Sequence, residues 1–170
     1  MDFSACQMQL QQNGELIRQL VVGISQEQAV RKPSPEDWSV LEVVNHLYDE
    51  EREDFRQRFD YLLHHPGEDW PPIDPAGWVT ARKYNERELA SSLQNFLDER
   101  RKSLTWLASL NAPNLEAFET HPVAGKFHAG DMLAAWVAHD ILHLRQLVEL
   151  KYFLVGELVR PYAPQYAGDW

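Results

Sequence analysis

The chain has 170 residues, 44% hydrophobic and 25% charged, which suits one folded domain over 1–170 with a sizeable core. Its formal net charge is −10, from 26 acidic and 16 basic side chains. That balance repels phosphate backbones and anionic lipid, so neither a nucleic-acid nor a membrane partner is expected.

No uncharged apolar stretch approaches the roughly 20 residues that span a bilayer. Met1 to Ser4 show no basic n-region and no apolar h-region, so a cytoplasmic protein is expected. Cys6 is the only cysteine, which rules out an internal disulfide. It sits in a polar N-terminal segment and reads as a bystander thiol rather than a nucleophile.

Apolar residues from Phe3 to Val21 predict a first helix over about Asp2 to Val22, with Gly14 as its weak point. Ser25 and Gln28 have capping-box spacing and predict a short helix, ended by Pro33-Ser34-Pro35. Ser39 and Glu42 form a second capping box, so a long helix is expected from Val40 to about His64, with Trp38 stapling its first turn. Residues 64–79 carry four prolines and two glycines and read as a loop; Trp70, Ile73 and Trp78 imply that it packs on the body, either as a site wall or as a plain crossover connection. A third helix is predicted from about Thr80 to Leu110. Arg100-Arg101-Lys102 within it reads as a solvated face. After a connection over 111–128, a fourth helix runs from about Ala129 to Phe153, and an aromatic tail from Arg160 to Trp170 is expected to fold back onto the bundle. No run alternates like a strand with hairpin chemistry. The pattern is that of an all-α four-helix bundle with long inter-helix loops.

His139 and His143 are four apart, in the apolar row Met132, Trp136, His139, His143, Leu147. Side chains at that spacing share one helix face, which suits two imidazoles on one metal ion. The plain alternative is two core histidines bonded to neighbours. A third ligand must come from another element. His46, mid-helix beside an apolar stripe, fits best; His64-His65 at a helix end reads as exposed. Three imidazoles leave coordination positions open for water or substrate, the layout of a catalytic site. Zinc or nickel suits such ligands best, and iron or copper is compatible. Asp140 makes the segment H-D-x-x-H, a weak echo of the H-E-x-x-H metalloprotease motif. No E-x-x-H, P-loop, G-x-G-x-x-G or G-x-S-x-G is present.

Trp38-Ser39-Val40-Leu41-Glu42-Val43-Val44-Asn45-His46-Leu47, then Gly125, then His139-Asp140-Ile141-Leu142-His143-Leu144-Arg145-Gln146-Leu147 resemble the DinB-like family of metal-dependent enzymes, as does the ending Tyr166-Ala167-Gly168-Asp169-Trp170. That superfamily also holds the bacillithiol and mycothiol transferases and maleylpyruvate isomerase. The resemblance runs nearly the length of the chain. It implies a four-helix bundle with His46, His139 and His143 on a divalent metal, and carries no implication of DNA contact.

Around such a site, Glu50 and Asp140 are candidate acid–base groups and Gln146 a supporting one. Asp140 either serves that chemistry, orients a histidine, or pairs with Arg145 or Lys151. Trp136 reads as core, with Trp70 and Trp78 as candidate pocket walls. Two functions follow. One is an enzyme acting on a small-molecule substrate by thiol transfer or hydrolysis, with a low-molecular-weight thiol as co-substrate in the first case. The other is a non-catalytic metal- or ligand-binding bundle. A homodimer is expected in either.

Overall fold

The computed structural model describes residues 1–121 and 125–168. Four rods form the bundle. The first is α1 (Phe3–Val21), capped by the Asp2 carboxylate, which accepts from the Ala5 N–H at 3.0 Å. A short α2 (Gln26–Ala29) follows behind the Ser25–Gln28 capping box. The second rod starts as α3 (Val40–Glu50), where Ser39 Oγ accepts from the Glu42 N–H and the Glu42 carboxylate accepts from the Ser39 N–H. It passes through one π-helical turn over Glu51–Phe55 and continues as α4 (Arg56–His64).

The connection after His64, read as a loop from its prolines, holds a helix. This is α5 (Pro75–Ala81), with Pro75 in its first turn, where a missing N–H costs nothing. Asp74 caps it by accepting from the Gly77 N–H at 3.0 Å. A Cβ on residue 77 would fall 1.9 Å from that carboxylate, so glycine is what lets the cap close. The third rod, α6 (Leu89–Ser109), begins nine residues later than Thr80. Lys83 adopts a left-handed backbone (φ 52°), which breaks the helix, and Tyr84–Glu86 form a single 3-10 turn. The fourth rod is α7 (Ala129–Leu158), which passes Phe153 and continues to Leu158.

Residues 111–128 hold a small antiparallel hairpin that alternation did not reveal, β1 (Phe118–His121) and β2 (Gly125–His128), with Phe118 opposite His128. Strands of four residues are too short to show a period. The tail departs from expectation as well. Tyr162 and Tyr166 are 81% and 105% exposed, so these two rings do not return to the bundle; Asp169 and Trp170 lie outside the described residues, as does Pro122.

α1 and α3 each pack against both α6 and α7. Two apolar clusters fill the interior. One gathers Ile17, Val44, Leu47, Phe96, Leu147 and their neighbours. The other gathers Leu10, Phe55, Phe59, Leu107, Leu133 and Trp136. Between them every rod contributes polar residues: Asn13, His46 and Glu51, Arg100, and His139, Asp140 and His143. The bundle therefore has a polar waist, and the candidate site lies in it. Among the described residues no helix is long and apolar enough to cross a membrane.

Candidate metal centre

His46 stands on α3 with 5% of its surface exposed. His139 and His143 stand one turn apart on α7 and are partly buried. The fold brings all three together. His46 Nε2 lies 3.2 Å from His139 Nε2, and His143 Nε2 lies 3.1 Å from the same atom. One ligand atom from each ring falls within 4.8 Å of the others, and among the described residues this is the one such group.

The rings are held neutral. Burial, then the neighbouring His143, pushes His46 down to about 3. Burial, then His143, His46 and Arg100, pushes His139 down to about 2. Burial also lowers His143, against the opposing effect of its hydrogen bond to Gln146. That bond fixes a tautomer: His143 Nδ1–H donates to Gln146 Oε1 at 2.8 Å, leaving Nε2 as a lone pair aimed into the cluster. A single N–H or lone pair on His139 Nε2 serves only one of its two neighbours well. Three neutral imidazoles in this arrangement thus leave at least one nitrogen pair mismatched, and a shared cation removes the mismatch. Nitrogens bound at 2.0–2.1 Å to one ion sit about 3.0–3.4 Å apart, which matches the two spacings to His139 Nε2. The donor set fits a divalent metal.

Aromatic rings wall the cluster. Trp38 lies edge-on to His46 at 4.8 Å and parallel to His143 at 6.3 Å. Phe55, delivered by the π-helical turn, lies 4.8 Å from His139 and parallel to Trp136. Trp136 is core, and its indole N–H donates to Glu51 Oε2 at 3.0 Å. Trp78 stacks under Arg82. Trp70 lines a 440 Å³ cavity with Arg58 that shares no residue with the histidine cluster. The tryptophan at the site is therefore Trp38, whose sequence signal had been that of a helix staple.

Behind the histidines lies a buried ion cluster. Arg100 is 4% exposed and not part of a solvated face. Its guanidinium donates to Glu51 at 2.8 Å through Nε and Nη2, to Asp140 at 2.7 and 2.8 Å, and to the Leu10 carbonyl at 2.7 Å. Two buried carboxylates draw the guanidinium inward, while Arg101 and Lys102 stay outside. Asn13 also donates to Asp140, at 3.3 Å. Asp140 thus pairs with Arg100 rather than with Arg145 or Lys151. Gly14 makes room for the arrangement, since a Cβ there would come 3.3 Å from Arg100 Cγ.

Glu50 follows His46 by one turn and is 4% exposed. Burial, then the charge of Asp54 and a hydrogen bond with it, pushes its carboxyl up to about 8. Asp54 Oδ1 and Arg58 Nε face each other at 2.8 Å as an ion pair, so the buried side-chain atoms left without a partner among the described residues are His46 Nδ1 and Glu50 Oε1, one turn apart on the same rod. Buried polar atoms left this way are where water or ligand atoms bind. His64 and His65 face Asp60 and Glu68 at the surface and take no part. Cys6 also stays outside, its thiol pushed up by burial.

A family model for the DinB superfamily matches residues 9–147. The chain belongs to the DinB superfamily. Among solved structures, YfiT from Bacillus subtilis superposes with a TM-score of 0.77 at 19% identity, covering 89% of this chain and 87% of that one. YfiT is described as a probable metal-dependent hydrolase with an unusual four-helix bundle topology. At that identity the likeness establishes the fold. No curated protein sequence matches the chain. The segment matched to the DinB superfamily includes all three histidines, Trp38 and the Arg100 cluster.

Proposed function

We propose that this DinB-superfamily protein is a divalent-metal-dependent enzyme that acts on a small electrophilic molecule by hydrolysis or by transfer of a low-molecular-weight thiol. The observation that carries the reading is the convergence of three neutral imidazoles on Nε2 contacts of 3.1 and 3.2 Å. His46, His139 and His143 would hold the ion, with zinc or nickel favoured by the all-nitrogen set. Bound there, a divalent cation supplies Lewis acidity, lowering the pKa of water or a thiol and polarising an electrophile.

The remaining roles fall to the chain. Gln146 holds His143 in the tautomer that presents Nε2. Trp38 and Phe55 exclude bulk water from the two sides they cover. Glu50 keeps a proton at neutral pH and gives it to a leaving group, then takes one back from the incoming nucleophile. Asp140 acts through Arg100 and Asn13 to fix the turn of α7 that carries both histidines, which makes it a positioning residue. The description of YfiT supports the hydrolytic half of the reading.

The test is a screen of esters, amides and alkyl electrophiles, with water alone and with added thiols, on chelator-stripped protein reloaded with zinc or nickel. Turnover is expected only after reloading, and it should disappear in His143→Ala. Turnover that survives stripping, or is unchanged in that variant, overturns the proposal. Metal binding with no turnover across the screen leaves the non-catalytic binding bundle as the function.

A further inference from the structure

An open cavity of 410 Å³ lies beside the cluster, with none of the three histidines in its lining. Two of its lining residues contact the histidines. Trp38 touches the rings of His46 and His143, and Gln146 is bonded to His143. Leu150 and Phe153 extend the apolar surface from Trp38. The formal charges in the lining are those of Asp37 and Glu149, and no lysine or arginine belongs to it. Arg145 stands 3.5 Å from Glu149, but it is 72% exposed and screened by solvent. Asp37 has no ion pair among the described residues.

A ligand with a carboxylate or phosphate would meet like charge in the lining, where solvent screens Asp37 and Glu149 as it does Arg145, so the preference is modest. A flat apolar body fits Trp38, Leu150 and Phe153, and a positive group fits the carboxylates and the tryptophan face. We propose that this cavity is the substrate pocket of the histidine site and that it takes a small aryl or alkyl amine. The ammonium lies toward Asp37 and Glu149, and the reacting end lies toward the cluster. The assignment as a substrate pocket rests on the enzymatic reading above; the charge preference does not. The larger cavity at Trp70 is set aside because it holds Arg58 and shares neither Trp38 nor Gln146, the two residues that link the other cavity to the histidines.

The test uses three probes with one ring and three charges: benzylamine, benzyl alcohol and benzoate. Each is titrated into metal-free and zinc-loaded protein and followed by the Trp38 indole N–H signal in nitrogen-resolved NMR. Benzylamine should bind about tenfold more tightly than benzoate and shift Trp38 in both forms. Asp37 and Glu149 are exposed, so Asp37→Asn with Glu149→Gln should leave the fold intact. That double variant should erase the preference while keeping benzyl alcohol binding; Trp38→Ala should weaken all three probes. Benzoate binding as tightly as benzylamine, shifts confined to Trp70, or no binding by any probe overturns the proposal. A separate zinc titration tells the two readings apart. A protein that binds benzylamine but no zinc loses the metal reading and keeps an amine site, and one that binds zinc but no probe loses the cavity.

Discussion

Single side chains in the waist set opposing pH dependences. His46 and His139 are held near 3 and 2, and His143 is also lowered, with burial the leading cause in each. The unfolded chain protonates such rings near 6.5, while the folded chain does not. Their contribution is therefore fully present above that pH and is lost as pH falls, by up to about 4 kcal/mol per unit if all three take part. Glu50 has the opposite sign. Its carboxyl is raised from 4.5 to about 8, so its contribution is present below 4.5 and is lost as pH rises through about 8. Asp54 is raised as well, again by burial first, and adds to that loss. Together these groups place the stability maximum of the metal-free protein near pH 6.5. Thermal melts in chelator across about pH 5 to 9 should show that maximum, and Glu50→Gln should flatten the alkaline side. A melting temperature that keeps rising to pH 8 in the parent protein contradicts the assignment. A second residue-level expectation concerns Gln146. Gln146→Leu removes the acceptor that orients His143, and zinc affinity in a chelator-competition titration should fall about 10–100-fold.

At the level of elements, the Arg100 cluster joins pieces that share no local sequence: the Leu10 carbonyl and Asn13 of α1, Glu51 of the π turn, Arg100 of α6 and Asp140 of α7. Removing the one cation strands two carboxylates that are 2% and 1% exposed. Arg100→Met should cost about 3–5 kcal/mol in urea denaturation. Adding Glu51→Gln and Asp140→Asn should restore part of the loss, whereas no recovery would mean that Arg100 acts by packing alone. What could be read in the sequence follows the range of each signal. The Ser39–Glu42 box is local and marked the start of α3 to the residue. The spacing of His139 and His143 is also local, and it pointed to one face. Arg100 looked like a surface residue because the carboxylates that bury it lie 49 and 40 positions away. The π turn left no mark, since Glu51 to Phe55 are ordinary helix formers. The start of α6 was misplaced because Lys83 carries no turn signal, and α5 was missed because Pro75 was read as a breaker rather than as a first-turn residue. That His46 meets the pair is a tertiary fact: its place beside an apolar stripe on another helix made it the best candidate, and the resemblance to the DinB-like family strengthened that reading.

Across the whole molecule, the histidines tie distant parts of the chain. His46 and His139 are 93 positions apart, on rods that pack on each other as well as on α6. An ion held by both rods binds the folded chain and has no equivalent site in the unfolded one, so its binding free energy adds to global stability. At a free zinc concentration 100 times the dissociation constant the gain is about 2.7 kcal/mol. For a chain of this length each kcal/mol raises the melting temperature by about 2–4 °C, so zinc should raise it by about 5–10 °C and chelator should reverse the rise. His46→Ala isolates the cross-rod link, because it leaves the α7 pair intact. In that variant the shift should shrink to a small residue, although the metal-free melting temperature should change little, since an orphaned buried nitrogen is lost along with the ring. A full shift in His46→Ala would place the ion on α7 alone. No shift in the parent protein would leave the three imidazoles as a packed polar waist, with cross-rod cohesion supplied by the two apolar clusters and the Arg100 ion pairs.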